Sequence, residues 1–449
     1  FGSRCCRRPG AGFVEPPEPM VPRWPTAVYA LPLLATRTLC LGGTLHDGLR
    51  AALQRVAGEM HRKYNMSIAA GFHSPLASFS VAAGYTDAGL GMGQPTRRAL
   101  AEDVYVWGST TKMFTGAALL QLVERGAVGL DDPVTWHVDP VLLQLNGTRL
   151  VDRFGPAIEA VQVRHLLHMT SGLADYDGEA FAEAQFANRS KAFGPVEILG
   201  RFVPPSLLFA PGSRQSYCST NYILLGLVLA GHYHRRGSAW SWRAYEQLSV
   251  IPAAMRHTFR HSSFALAGTC QDRTPVHGFM ESYVSASLPP QDVWDVSCLG
   301  GWTAGNYVGP VADVARFTYE LYNRRAPRIV SAASQAIMTN FTAPGFPGFK
   351  FYGMGTFSLD WSVGDAEAYG HVGDTYGYQS QTTYFPDLDF SLAVATNVET
   401  ASQAQPGDAT CLAYHALAAV LKGLPQPSCT FTVPMRFIGK CTCRHEVVV

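Results

Sequence analysis

Segments that read as strands lie near both ends of this 449-residue chain, and helical pattern dominates between them. "MSIAAGF" and "ASFSVAAGY", from Met66 to Tyr85, alternate as the two strands of a hairpin. Strand-like runs return far downstream in "YGMGTFSLDW", "AEAYGHVG", "YQSQTTYF" and "FSLAVATN". Helical periodicity precedes the first group in "HDGLRAALQRVAGEMHRKY" and follows the last in "TCLAYHALAAVLKG". The middle carries "VQVRHLLHMTSGL" and the strongly apolar "NYILLGLVLAGHY". A sheet assembled from both ends of a chain implies an α/β fold with an inserted, mostly helical region. The predicted layout places the α/β part at residues 46–130 and 300–423 and the helical part at 131–299. A pocket between the two parts is the default position for a site.

The flanks differ in character. Residues 1–19 are rich in Pro, Gly and Arg and read as a disordered extension. Met20 opens a short apolar run, behind Arg23, that suits a signal segment within residues 1–45 but is too short to span a bilayer. An N-terminal strand or buried loop is the competing reading. Residues 424–449 form a Cys-containing tail. Four of the eight asparagines, Asn65, Asn146, Asn188 and Asn340, stand in N-x-S/T sequons, which favours a secreted or lumenal glycoprotein. The ten cysteines include no C-x₂-C pair, so disulfides fit better than zinc, with Cys270–Cys298 the first pairing to test. A formal charge of +1 with scattered arginines leaves no electrostatic footprint for nucleic acid.

Only six residues are lysines, and Ser109 with Lys112 forms the single S-x-x-K in the chain. It stands in "YVWGSTTKMFTGAALLQLVERGAVGL", read as a strand end running into an amphipathic helix that stops at Gly126 or Gly129. A serine hydroxyl is a poor nucleophile until a base takes its proton. A lysine one turn on can do this if burial keeps its amine neutral. A serine N-cap beside a solvated lysine is the structural alternative.

Two later stretches shift that balance. "APGSRQSYCSTNYILLGLVL" places Tyr217 just ahead of a buried helix, and "YGHVGDTYGYQSQTTYFPD" places His371 and Gly373 on a strand. In order and context these resemble the S-x-x-K, Y-x-N and K/H-x-G motifs of the serine β-lactamase and penicillin-binding-protein superfamily. The branch is similar to class C β-lactamases, D-alanyl-D-alanine carboxypeptidases and related esterases, over roughly residues 46–423. The resemblance implies a β-lactamase/transpeptidase-like fold, an antiparallel sheet flanked by helices. It implies Ser109 as acylated nucleophile, Lys112 as its proton acceptor, Tyr217 as relay to the leaving group and His371 as a donor beside the tyrosine oxygen. Gly373 lets the strand approach substrate, and the N–H groups of Ser109 and Asp374 form the oxyanion hole. Trp294 is a candidate wall of the cleft or an ordinary buried tryptophan.

The departures carry information too. Ser219 stands where the family prefers Asn, Val372 replaces a hydroxylated residue, and Asp374 replaces a small or hydroxylated one. Phe357 stands where some carboxypeptidases have a carboxylate-binding Arg. Ser219-Thr220-Asn221 offers a competing S-x-N reading. His165/His168 and His232/His234 have metal-like spacing without an evident third ligand, and Cys218 reads as a packing residue, half of a disulfide or a reactive thiol. The expected protein is a serine hydrolase without metal or cofactor, acting on a small-molecule or peptide-like acyl substrate, with no stable membrane span. Carboxypeptidase or β-lactamase activity is the runner-up, and a catalytically silent binding protein is the third reading.

Overall fold

The computed structural model describes residues 35–425 and Cys429, apart from 235–236, 238, 282–288, 343, 345–349, 365 and 401–403. The signal-like run at Met20 and the Cys441/Cys443 tail lie outside the described residues. Six strands form the main sheet: β1 (Ile68–His73), β2 (Ser78–Ala83), β3 (Phe357–Ser358), β4 (Tyr369–Thr375), β5 (Tyr378–Phe385) and β6 (Phe390–Thr396). Their spatial order is β3-β4-β5-β6-β1-β2, every pairing antiparallel. The sheet therefore closes the two ends of the chain together along β1 and β6, where Ile68 faces Thr396 and His73 faces Ser391.

β5 and β6 are buried at every position, so both faces of the sheet are covered. On α1 (Ala35–Tyr64) the residues Leu49, Leu53, Val56 and Met60 recur at helical spacing and are buried, a stripe turned to the core. Lys63 and Tyr64 at its end bond Asp408 of the last helix, Ala404–Lys422. The helix predicted over 46–64 is thus longer at its start.

α2 (Thr111–Glu124) departs from the amphipathic expectation. It is buried from Thr111 to Leu120 and again at Leu122, because it runs through the core rather than along its edge. Gly126, at φ +66°, ends it in a left-handed turn. The helical insertion holds α3 (Val134–Asn146) packed on α4 (Thr220–Tyr233), with shorter helices between them. Helix content falls away after Tyr233. Most of residues 234–299 that are described form loops, 3₁₀ turns and two-residue strands, a correction to the helical reading of 131–299.

Cys270 and Cys298 are joined in a disulfide. It ties these loops beside the Gly300–Gly305 stretch that borders the cleft described below. Replacing both cysteines with serine is expected to lower unfolding stability by about 2–4 kcal/mol. Urea denaturation under non-reducing conditions checks this, and an unchanged midpoint and slope would contradict it.

Candidate active site

Ser109 sits in a one-turn 3₁₀ helix, Gly108–Thr110, that leads directly into α2. Two glycines make the position. Gly108 has φ +51°, and a Cβ there would stand 2.5 Å from the Asp374 carbonyl oxygen. A Cβ on Gly373 would meet the Trp107 carbonyl oxygen at 2.0 Å. The turn carrying Ser109 therefore lies against the backbone of β4, an approach closed to any larger residue. β3 covers β4 only at Tyr369 and Gly370, so no described strand pairs with the outer edge of His371–Thr375. The Trp107 and Thr111 side chains fix the turn from the other side, bonding Gly309 O at 2.8 Å and Gly108 O at 2.7 Å.

Lys112 is completely buried. Its Nζ lies 2.8 Å from Ser109 Oγ and 3.0 Å from the Ala304 carbonyl oxygen. The Tyr217 ring lies below it, 5.0 Å from Nζ to centroid. Among the described residues Lys112 makes no ion pair at 4.0 Å or less. A buried ammonium without a counter-ion is costly, so burial brings its pKa down to about 8, against the opposing pull of Asp175 and Asp177. The solvated-lysine alternative is excluded by this burial.

The Tyr217 hydroxyl is buried and has no hydrogen-bond partner of good geometry. Burial pushes its phenol well up, and the neighbouring Ser109 hydroxyl pulls it partly back. It is a neutral donor held near the serine. His371 behaves differently from the expectation. Its Nδ1 lies 2.5 Å from the Val372 carbonyl, which makes that nitrogen the donor and leaves Nε2 to accept from Tyr352 Oη at 2.9 Å. Phe357 stacks on Tyr217 and packs edge-on to His371, and the imidazole pairs with Tyr352 rather than Tyr217. Desolvation, then the Lys112 charge, holds His371 neutral.

Ser109, Ser219 and Asp374 line one cleft enclosing about 380 Å³, part of it open to solvent. Gly373 is not among the residues that line it; its backbone lies against the turn that carries Ser109. Neither Asn221 nor Tyr217 lines it, but the Asn221 side chain is buried against Ser171 Oγ and Met169 Sδ whereas the Tyr217 ring lies beside Lys112, which favours the Tyr217 reading over S-x-N. Trp294 does not line it either. Its indole N–H is bound by the Pro275 carbonyl and its ring stacks on His277 at 3.9 Å, contacts that turn it into the adjoining loops. The cleft walls are instead Tyr176, Phe181 and Tyr376. Asp177 adds a second carboxylate to the lining of the same cleft as Asp374. "ADYDG" and "DTYGY" carried the signal, acids alternating with tyrosines next to the motifs. Cys218 is a free, buried thiol raised by desolvation, in keeping with a packing role.

Among the described residues neither histidine pair gathers a third ligand. His165 Nδ1 accepts from the Gln162 N–H, His232 faces His137, and His234 stacks on Trp240. Among the described residues one group, Cys411, His415 and Cys429, brings three potential ligands within 4.8 Å, and its two sulfurs are joined as a disulfide.

A family model described as Beta-lactamase matches residues 76–416. The chain belongs to the beta-lactamase family. Members and neighbours are varied. "Protein flp" of Staphylococcus aureus (strain MW2) is 28% identical over 200 residues, covering 42% of this chain and 34% of that protein. "Acyltransferase calJ" of Penicillium decumbens is 33% identical over 141 residues, 28% of this chain and 32% of its own. The chain thus matches about a third of the length of these relatives.

Solved structures agree on the fold of this beta-lactamase family member. The D-amino acid amidase of Ochrobactrum anthropi SV3, complexed with L-phenylalanine amide, superposes with a TM-score of 0.63 at 20% identity over 84% of this chain and 99% of its own. The D-stereospecific amidohydrolase of Streptomyces sp. gives 0.60 at 21% over 85% and 99%. The octameric penicillin-binding protein homologue of Pyrococcus abyssi gives 0.57 at 22% over 86% and 78%. No helix among the described residues is long and apolar enough to cross a membrane.

Proposed function

We propose that this protein is a serine hydrolase that cleaves ester or amide bonds through an acyl-serine intermediate. The observation that carries the reading is Lys112: fully buried, without an ion pair, its amine 2.8 Å from Ser109 Oγ. In the proposed cycle the neutral amine takes the serine proton as Oγ bonds the substrate carbonyl carbon. The N–H groups of Ser109 and Asp374 hold the oxyanion. The tetrahedral adduct then breaks its bond to the leaving group, which receives a proton through Tyr217. Water attacks the acyl-serine along the reverse proton path, releasing the acid and restoring Ser109. The fold is shared with amidohydrolases, in keeping with this chemistry.

Substrates with a neutral group beyond the scissile bond suit the cleft better than carboxylates. Asp374 lines it, Val372 supplies no hydroxyl, and Phe357 is packed on Tyr217 where an arginine would be needed. At roughly 4–6 Å and an effective dielectric near 20, a substrate carboxylate meets about 3–4 kcal/mol of repulsion before screening. kcat/KM for a neutral methyl ester or amide is therefore expected to exceed that of its free-carboxylate counterpart at least tenfold. A preference for the carboxylate form would return the protein to the carboxypeptidase reading.

We also propose that the chain passes through the secretory pathway. All four sequon asparagines, Asn65, Asn146, Asn188 and Asn340, are exposed. Protein from a eukaryotic secretory host is expected to lose mass on enzymatic deglycosylation, and an unchanged mass would contradict the proposal.

A further inference from the structure

We infer that Asp175 is a positioning residue: its carboxylate sits at the start of α4, holds the turn that carries Tyr217 and Ser219, and supplies the negative field in which Lys112 works as a base. The inference rests on the hydrolase reading above and concerns how that site sets its own base. Thr220 Oγ1 donates to the Ala174 carbonyl at 2.8 Å and accepts the Tyr176 N–H at 3.0 Å. The residues on both sides of Asp175 are thereby latched to the first turn of α4. Asp175 Oδ1 accepts the Asp177 N–H at 3.2 Å, and the N–H of Ser219, at the N-cap of α4, also favours its charged form. The same loop reaches the cleft, which Tyr176, Asp177, Ser219 and Ser109 all line.

Lys112 makes no ion pair among the described residues, so the negative charge that opposes its desolvation acts from further off. Facing it are Tyr217 and Cys218 from the turn ahead of α4, Tyr222 from α4, His371 from β4, and Asp175 and Asp177 from the loop. Burial keeps both tyrosines and the thiol protonated, and His371 is neutral. The two carboxylates are therefore the charges that bear on the amine, and Asp175 is the stronger. Burial, then Asp177, raises Asp175 to about 6, so it is ionised where Lys112 titrates. Without that field the buried amine would be a weaker base, and a general base works best with a pKa near the operating pH.

Carbon-13 NMR of the six lysine side chains reads the amine directly, with the Lys112 signal assigned by its loss in Lys112→Ala. In Asp175→Asn the Lys112 titration is expected to fall from about 8 by roughly half a pH unit or more. The midpoint of the pH profile for fluorophosphonate acylation of Ser109 is expected to fall with it. Asp175→Glu keeps the charge and is expected to hold both midpoints near the wild-type values. A role in folding alone would lower the melting temperature and the acylation rate at every pH and leave both midpoints in place, and that result would overturn the inference. If Asp175→Asn does not fold, the reciprocal effect is read on carbon-13-labelled aspartates, with Asp175 assigned by Asp175→Glu. Asp175 is then expected to titrate higher in Lys112→Ala than in the wild type, and an unchanged value would overturn the inference. A Lys112 titration that moves in Asp175→Asn, while the wild type forms no adduct at any pH, bears out the coupling and overturns the hydrolase reading.

Discussion

Replacing Lys112 with alanine is expected to slow acylation of Ser109 by on the order of 10²–10⁴-fold, the usual contribution of a positioned general base. The amine is the base within reach of Ser109 Oγ, and the nearest histidine in the motif is committed elsewhere, to Val372 and Tyr352. Arginine should not rescue the loss, because a guanidinium does not release its proton in a protein. The wild-type acylation rate should climb as pH rises through about 8, since only the neutral amine can accept the serine proton. Lys112→Ala should lack that limb. Stopped-flow acylation from pH 6 to 10 provides the comparison.

A stability measurement accompanies it. In the unfolded chain Lys112 keeps its proton to its ordinary value of 10.5, while in the native protein it loses it near 8. Between those values the unfolded state binds more protons, so this group makes stability rise with pH across that window. Below it, the buried charge is a cost to the fold. Buried tyrosines such as Tyr217, with raised values, oppose the trend above pH 10. The difference between wild type and Lys112→Ala isolates the lysine. A flat difference from pH 8 to 10 would mean that the amine is not desolvated as described.

Those residues were legible because local geometry alone brings them together. Ser109 and Lys112 are three apart at a helix start, and no tertiary detail is needed to place them on one face. The β1–β2 hairpin followed from alternation, and its pairing of Phe72 with Phe79 needs only a short turn. The limits have equally particular causes. The pattern of α2 shows which positions are apolar, but not that Thr111, Lys112 and Thr115 are also covered, because partners distant in sequence supply the cover: Thr115 Oγ1 bonds the Thr303 carbonyl. Trp294 could have faced the cleft or the loop, and the Pro275 carbonyl decided it. Tyr352 precedes His371 by 19 residues in a segment read only as strand, so its claim on the imidazole was invisible until β4 was in place. The acids fared likewise. Asp177 lies in a loop whose direction no periodicity encodes, yet it lines the same cleft as Asp374.

The central claim is that Ser109 is the residue that becomes acylated. Ser109 is half-buried and its hydroxyl contacts Lys112 without carrying a core interaction, so Ser109→Ala should fold and melt like the wild type. Intact-protein mass spectrometry after exposure to a fluorophosphonate, followed by peptide mapping, tests the claim most directly. The account predicts one adduct on the wild-type peptide containing Ser109 and none on Ser109→Ala. An adduct on another serine, or one that survives in Ser109→Ala, would contradict it.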